Sequence, residues 1–85
     1  MSKHARSARR LASLLTGVSG TVVRIYYDRG LHRHRVVWTN GPDVAQMYTL
    51  AMRHAGAIPG LDLTTLLWDR GTTAARVSAM RRAEA

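Results

Sequence analysis

Cysteine is absent from the 85 residues, so no disulfide framework, thiolate nucleophile or cysteine-based zinc site is available, and the chain folds on its apolar core alone. Phenylalanine is absent too, prolines number only two, and acids are scarce, with five Asp or Glu against thirteen Lys or Arg. No apolar run approaches the roughly 18 residues of a membrane span. The nearest candidate, Leu11 to Gly20, is interrupted by Ser13, Thr16, Gly17 and Ser19, so neither a membrane partner nor an export signal is expected. Residues 1–16 are Arg-rich and free of acids, as organelle transit peptides are, but the same segment patterns as a helix of the domain. The expected setting is cytoplasmic, a bacterial cytoplasm or nucleoid.

Catalytic chemistry finds little material. Asp28, Asp43, Asp62, Asp69 and Glu84 fall at turns and helix ends, with no spacing that sets two carboxylates side by side for acid–base work or magnesium binding. His32 and His34 share one strand face, but no third metal ligand lies near them in the sequence. The seven glycines sit where elements end, and none forms the loop that cradles a nucleotide. These absences predict no enzyme, no cofactor, no metal and no small-molecule substrate. Imitation of DNA is excluded by the sign of the charge.

What the chain does have is positive charge, +8 net, gathered in its first half. Residues 1–40 hold eight Lys or Arg against one Asp, whereas residues 41–85 hold five against four. Such an imbalance attracts polyanions over long range, and DNA or RNA is the commonest such partner. Twelve of the thirteen basic residues are Arg, a bias that GC-rich codon usage also produces. At this length a single domain buries only about 60 to 65% of its unfolded surface, so homodimerisation is a second route to stability.

The pattern predicts an α/β domain of the α+β type in two layers: helix, antiparallel β-hairpin, helix, then one or two short C-terminal helices. Ala8, Leu11, Leu14, Leu15 and Val18 form a helical stripe, with Arg6, Arg9, Arg10 and Ser13 opposite and Gly17 as the stop. Residues 1–7 read as a flexible basic arm, because an acid-free first turn opposes the helix dipole. From Thr21 the period becomes two. A turn centred on Arg29 and Gly30 pairs Ile25 with His34 and Tyr27 with His32 on a core face, and Arg24 with Arg35, Tyr26 with Arg33 and Val22 with Val37 on the other. Pro42 to His54 reads as a second helix, with Val44, Met47, Tyr48 and Ala51 on its stripe and Asp43 at its positive end. Asp62 is placed to cap a short helix bearing Leu63, Leu66, Leu67 and Trp68, and residues 72–85 read as a last, partly frayed helix with Arg76, Arg81 and Arg82. The body of the domain is thus residues 8–71. A helix-turn-helix is disfavoured by the long link from Gly56 to Leu61 and by Asp62 and Asp69 on its would-be recognition helix.

An Arg/Leu-rich helix, the strand Val22-Val23-Arg24-Ile25, and Val36-Val37-Trp38-Thr39-Asn40-Gly41-Pro42 leading into a helix resemble one of the small domains associated with large polyvalent proteins of phages and plasmids. The resemblance spans residues 9–58, with Asn40 where that pattern has an acid, and it implies a mobile-element setting rather than a chemistry. Taken with the charge, it leads to an expected function as a small nucleic-acid-binding accessory protein. Arg24, Arg29, Arg33 and Arg35 are the expected phosphate contacts, Tyr26 a stacking group, and Lys3, Arg6, Arg9 and Arg10 a basic arm. Four to six phosphate contacts imply a log affinity against log salt slope on the order of −4 to −5 for duplex DNA. The alternative is a protein-binding module, a homodimer or an inhibitor of a host or phage protein, using the hairpin face with Val22, Val37, Leu31, Trp68 and Leu67.

Overall fold

A computed structural model describes the backbone of residues 3–71 and the side chains from residue 6 onward. The fold is α+β in two layers. Helix α1 (Lys3–Ser19), strands β1 (Arg24–Asp28) and β2 (Arg33–Trp38), helix α2 (Val44–Arg53) and strand β3 (Leu67–Arg70) follow in that order, with single 3-10 turns at Ala55–Ala57 and Leu63–Thr65. The sheet has the order β1-β2-β3. β1 runs antiparallel to β2, and β3 lies parallel to β2, reached through the α2 crossover that a parallel neighbour requires. The expected C-terminal helix and its Arg76, Arg81 and Arg82 lie outside the described residues.

Helix α1 is longer at both ends than its pattern suggests. Residues 3–7 are helical rather than an arm, since Ala, Arg and Lys are strong helix formers and the missing N-terminal acid costs only about 0.3–1 kcal/mol. Gly17 does not stop the helix. The chain leaves it at Gly20, which takes φ 76° and donates its N–H to the Thr16 carbonyl at 3.2 Å, a left-handed cap that only glycine enters without strain. Helix α2 starts two residues later than expected, with Pro42 outside it. Asp43 is its N-cap, accepting from the Gln46 N–H at 2.8 Å while the Gln46 side chain accepts from the Asp43 N–H at 2.9 Å.

The hairpin register differs from the expected one by two residues. Arg24 faces Val37, Ile25 faces Val36, Tyr26 faces Arg35, Tyr27 faces His34 and Asp28 faces Arg33. The cause is the turn: the Asp28 carboxylate accepts from the Leu31 N–H at 3.1 Å and His32 adopts φ 52°, so the loop of residues 29–32 is centred on Gly30 and Leu31 rather than on Arg29 and Gly30. A shift of two leaves every side chain on its expected face. Ile25, Tyr27, His34, Val36 and Trp38 turn toward the helices, while Arg24, Tyr26, Arg33 and Arg35 turn away. The like-charged pairing of Arg24 with Arg35 does not occur.

The expected helix after Asp62 is the largest correction. Asp62 does cap, accepting from the Thr64 N–H at 3.0 Å, but it caps a single 3-10 turn, and Leu67–Arg70 then extends as β3. Leu63, Leu66 and Leu67 have helical spacing, yet Leu63 and Leu66 reach the core from the turn itself. Trp68 enters it from the strand, stacked edge-on against Trp38 at 6.4 Å and Tyr48 at 5.3 Å. Leu11, Leu15, Val36, Trp38 and Met47 are completely buried between the layers, and burial of each such side chain is worth about 1.5–3 kcal/mol. Val37, expected to be an exposed apolar group, is buried.

The residues 38–42 form the junction of the fold. Trp38 donates its indole N–H to the Pro42 carbonyl at 2.7 Å, and Arg70 donates to the same carbonyl at 3.1 Å. The Thr21 hydroxyl donates to the Asn40 side chain. Gly41 holds φ 88° against Thr21, where a Cβ would sit 3.3 Å from the threonine methyl. Tryptophan, asparagine and glycine in this run are accounted for by these contacts.

Candidate nucleic-acid interface

The arginines fall into two groups with opposite surroundings. Arg33 and Arg35, both expected to meet phosphates, are engaged with the protein itself. Arg33 donates to the carbonyls of Thr65 at 2.8 Å, Thr64 at 3.2 Å and Leu66 at 3.4 Å, satisfying acceptors that the 3-10 turn leaves unpaired and fixing the approach of β3. Arg35 lies between two carboxylates, 2.8 Å from Asp28 and 3.6 Å from Asp69. This guanidinium, together with the Leu31 N–H, holds the Asp28 carboxyl below the usual aspartate range. Asp69 enters the network only because its segment is a strand next to β2, which the helical reading of residues 62–70 concealed.

Arg6, Arg9, Arg24 and Arg29 are exposed and make no hydrogen bond or ion pair with the described residues. Arg10 is exposed as well, with one bond to the Ala57 carbonyl at 3.0 Å that ties α1 to the 3-10 turn following α2. Arg29 sits alone in the hairpin turn. Lys3 belongs to the first turn of α1, its side chain outside the described ones. The nine expected contact residues therefore do not form one cluster on the ribbon.

Three of them do converge. An open groove of roughly 720 Å³ runs between α1 and β1, lined by Arg9, Ala12, Ser13 and Thr16 from the helix and by residues 22–26, the lead into the strand and its first half. Positions 9, 12, 13 and 16 are one stripe of the helix, i, i+3, i+4 and i+7, so a single face of α1 supplies the whole wall. The other wall is an edge strand, with Val23 and Ile25 on its inner side and Arg24 and half-buried Tyr26 on its outer side. Among the described residues no acid lines the groove.

Thr16 sets the geometry of this site. Its hydroxyl accepts from the Val23 N–H at 3.0 Å and lies within bonding distance of the Val23 carbonyl at 3.2 Å and the Ala12 carbonyl at 2.9 Å, pinning the start of β1 to α1. Sequence reasoning missed Ala12, Ser13 and Thr16 because they belong to neither the apolar stripe nor the arginines. Their signal was their place three, four and seven residues after Arg9 on one helical face. A second groove along α2, of about 560 Å³, contains one arginine, Arg53, and is otherwise neutral. Among the described residues no three His, Asp or Glu side chains gather in a way that holds a metal ion, and no helix is long and apolar enough to cross a membrane. No protein-family model, curated protein or solved structure matches the chain.

Proposed function

We propose that the protein is a small, non-enzymatic nucleic-acid-binding accessory protein whose contact surface is the groove between α1 and β1. The observation that carries this reading is that Arg9 and Arg24 line one concavity with no acid among its described lining residues, while remaining uncommitted to described residues. Arg6 extends the positive surface along the exposed side of α1, and Arg29 adds a charge at the hairpin tip. Arg9 belongs to the helix wall and Arg24 to the strand wall, so an anion held in the groove has positive charge on both walls. A phosphate supplies that anion and accepts paired N–H donors from each fork.

Four phosphate contacts imply a log affinity against log salt slope of about −3 to −4. Replacing Arg9 and Arg24 together with alanine is expected to weaken binding to DNA or RNA at least tenfold at low salt, with an unchanged circular dichroism spectrum. Undiminished binding by that folded double variant refutes the assignment of the site. A second reading, self-association or capture of a protein partner, rests on Val22 at 61% and Val18 at 42% exposure beside an edge strand that no described strand pairs. Under that reading Val22→Ser, not the arginine pair, abolishes the interaction, and sedimentation over a range of concentrations detects a dimer.

A further inference from the structure

Deepening the self-association reading, on which this inference rests, we infer that the partner is a second copy of the chain, joined through β1 in an antiparallel, two-fold pairing centred on Tyr26. The Val23 N–H and carbonyl are directed at the Thr16 hydroxyl of α1, away from β2. Backbone groups alternate in direction along a strand, so those of Ile25 and Tyr27 face the same outer edge, where no described residue bonds them. Such an edge is a template for another strand. The sequence of β1, Arg-Ile-Tyr-Tyr-Asp, matches its own reverse in charge. Arg24 meets the partner's Asp28 at each end of the seam, Ile25 exchanges backbone bonds with the partner's Tyr27, and the ring of Tyr26 is not called upon. A parallel copy sets Arg24 beside the partner's Arg24 and loses these matches. The Asp28 carboxylate already accepts from Arg35 and Leu31, and it has room for a third donor. Val22 and Leu31, 61% and 55% exposed, flank β1 at opposite ends, so antiparallel pairing brings Val22 toward the partner's Leu31. The groove beside residues 22–26 is open, which leaves room for the incoming strand. One carboxylate does not exhaust the five donors of Arg24, so the seam and a phosphate contact are compatible.

The test follows the full chain, nuclease-treated and free of nucleic acid, by sedimentation over a range of concentrations, and a monomer–dimer equilibrium is expected. Arg24→Asp sets acid against acid at both ends of the seam and is expected to weaken the dimer on the order of tenfold, with an unchanged circular dichroism spectrum. Because the chain has no cysteine, Tyr26→Cys supplies a single thiol on the two-fold axis. Residues facing each other there, in a pair without mutual hydrogen bonds, lie about 4.5 Å apart at Cα, within the span of a disulfide. Oxidation is expected to link this variant into dimers roughly tenfold faster than Arg29→Cys, which is exposed in the hairpin turn and off the axis. A dimer that Arg24→Asp leaves intact, or that Tyr26→Cys does not link faster than Arg29→Cys, overturns the edge pairing and leaves self-association standing. A monomer at every concentration overturns both, and the nucleic-acid reading, tested separately, survives either result.

Discussion

An arginine on a strand face can hold the fold or hold a ligand, and two residues of separation decide which. Arg33 and Arg35 turn to the same side of the sheet as Arg24, yet each is bound to groups of its own chain, three carbonyls in one case and two carboxylates in the other. Arg24, opposite Val37, has no such neighbour among the described residues. Substituting Arg33 is therefore expected to lower the melting temperature, and substituting Arg24 to leave it unchanged. Acid titration follows from the same contacts. The carboxyls of Asp28, through Arg35, and Asp62, through the Thr64 hydroxyl and N–H, both lie below their ordinary range in the folded state. A lowered carboxyl contributes stability at pH values above its unfolded pKa, near 4, and that contribution disappears as pH falls through the folded value. Thermal unfolding followed from pH 7 to pH 2 is expected to show a falling melting temperature below about pH 4, and Asp28→Asn to flatten part of that decline.

Local elements explain how much of the architecture could be read from the residues. Helix α1, the hairpin and α2 each carry an apolar period that no other element fits, and Met47 and Ala51 are buried where the stripe of α2 requires, whereas Val44, expected on that stripe, is exposed. The hairpin register escaped the same treatment because it depends on one carboxylate, Asp28, bonding to Leu31 instead of leaving the turn to Arg29 and Gly30. β3 was hidden by a different ambiguity: four residues, Leu67–Arg70, are too few to display a period, and three leucines nearby mimic a helix. The groove was half visible, as arginines, and half invisible, as the hydroxyls of Ser13 and Thr16. Removing the capping box with Asp43→Ala is expected to cost about 1 kcal/mol in urea unfolding. Gly41→Ala forces a side chain into a left-handed backbone facing Thr21, and a loss of about 1–2 kcal/mol is expected in the same measurement.

At the scale of the whole molecule, a net charge of +8 on 85 residues works against compactness while favouring an anionic partner. Moderate salt should therefore raise the melting temperature as it weakens ligand binding, two opposite responses measurable on one sample. The core has little reserve at this size. Leu15→Ala, at a position with no exposure, is expected to cost about 2–5 kcal/mol, a large fraction of a stability near the lower end of the usual 5–15 kcal/mol. The parallel placement of β3 has a further consequence during synthesis. The central strand acquires its second neighbour, and Arg33 its carbonyl acceptors, only when residues 64–70 have been added. Before that point the nascent hairpin has a bare flank and an incomplete interior, so released chains truncated near residue 60 should remain open to protease, and resistance should arrive only in chains that include Arg70.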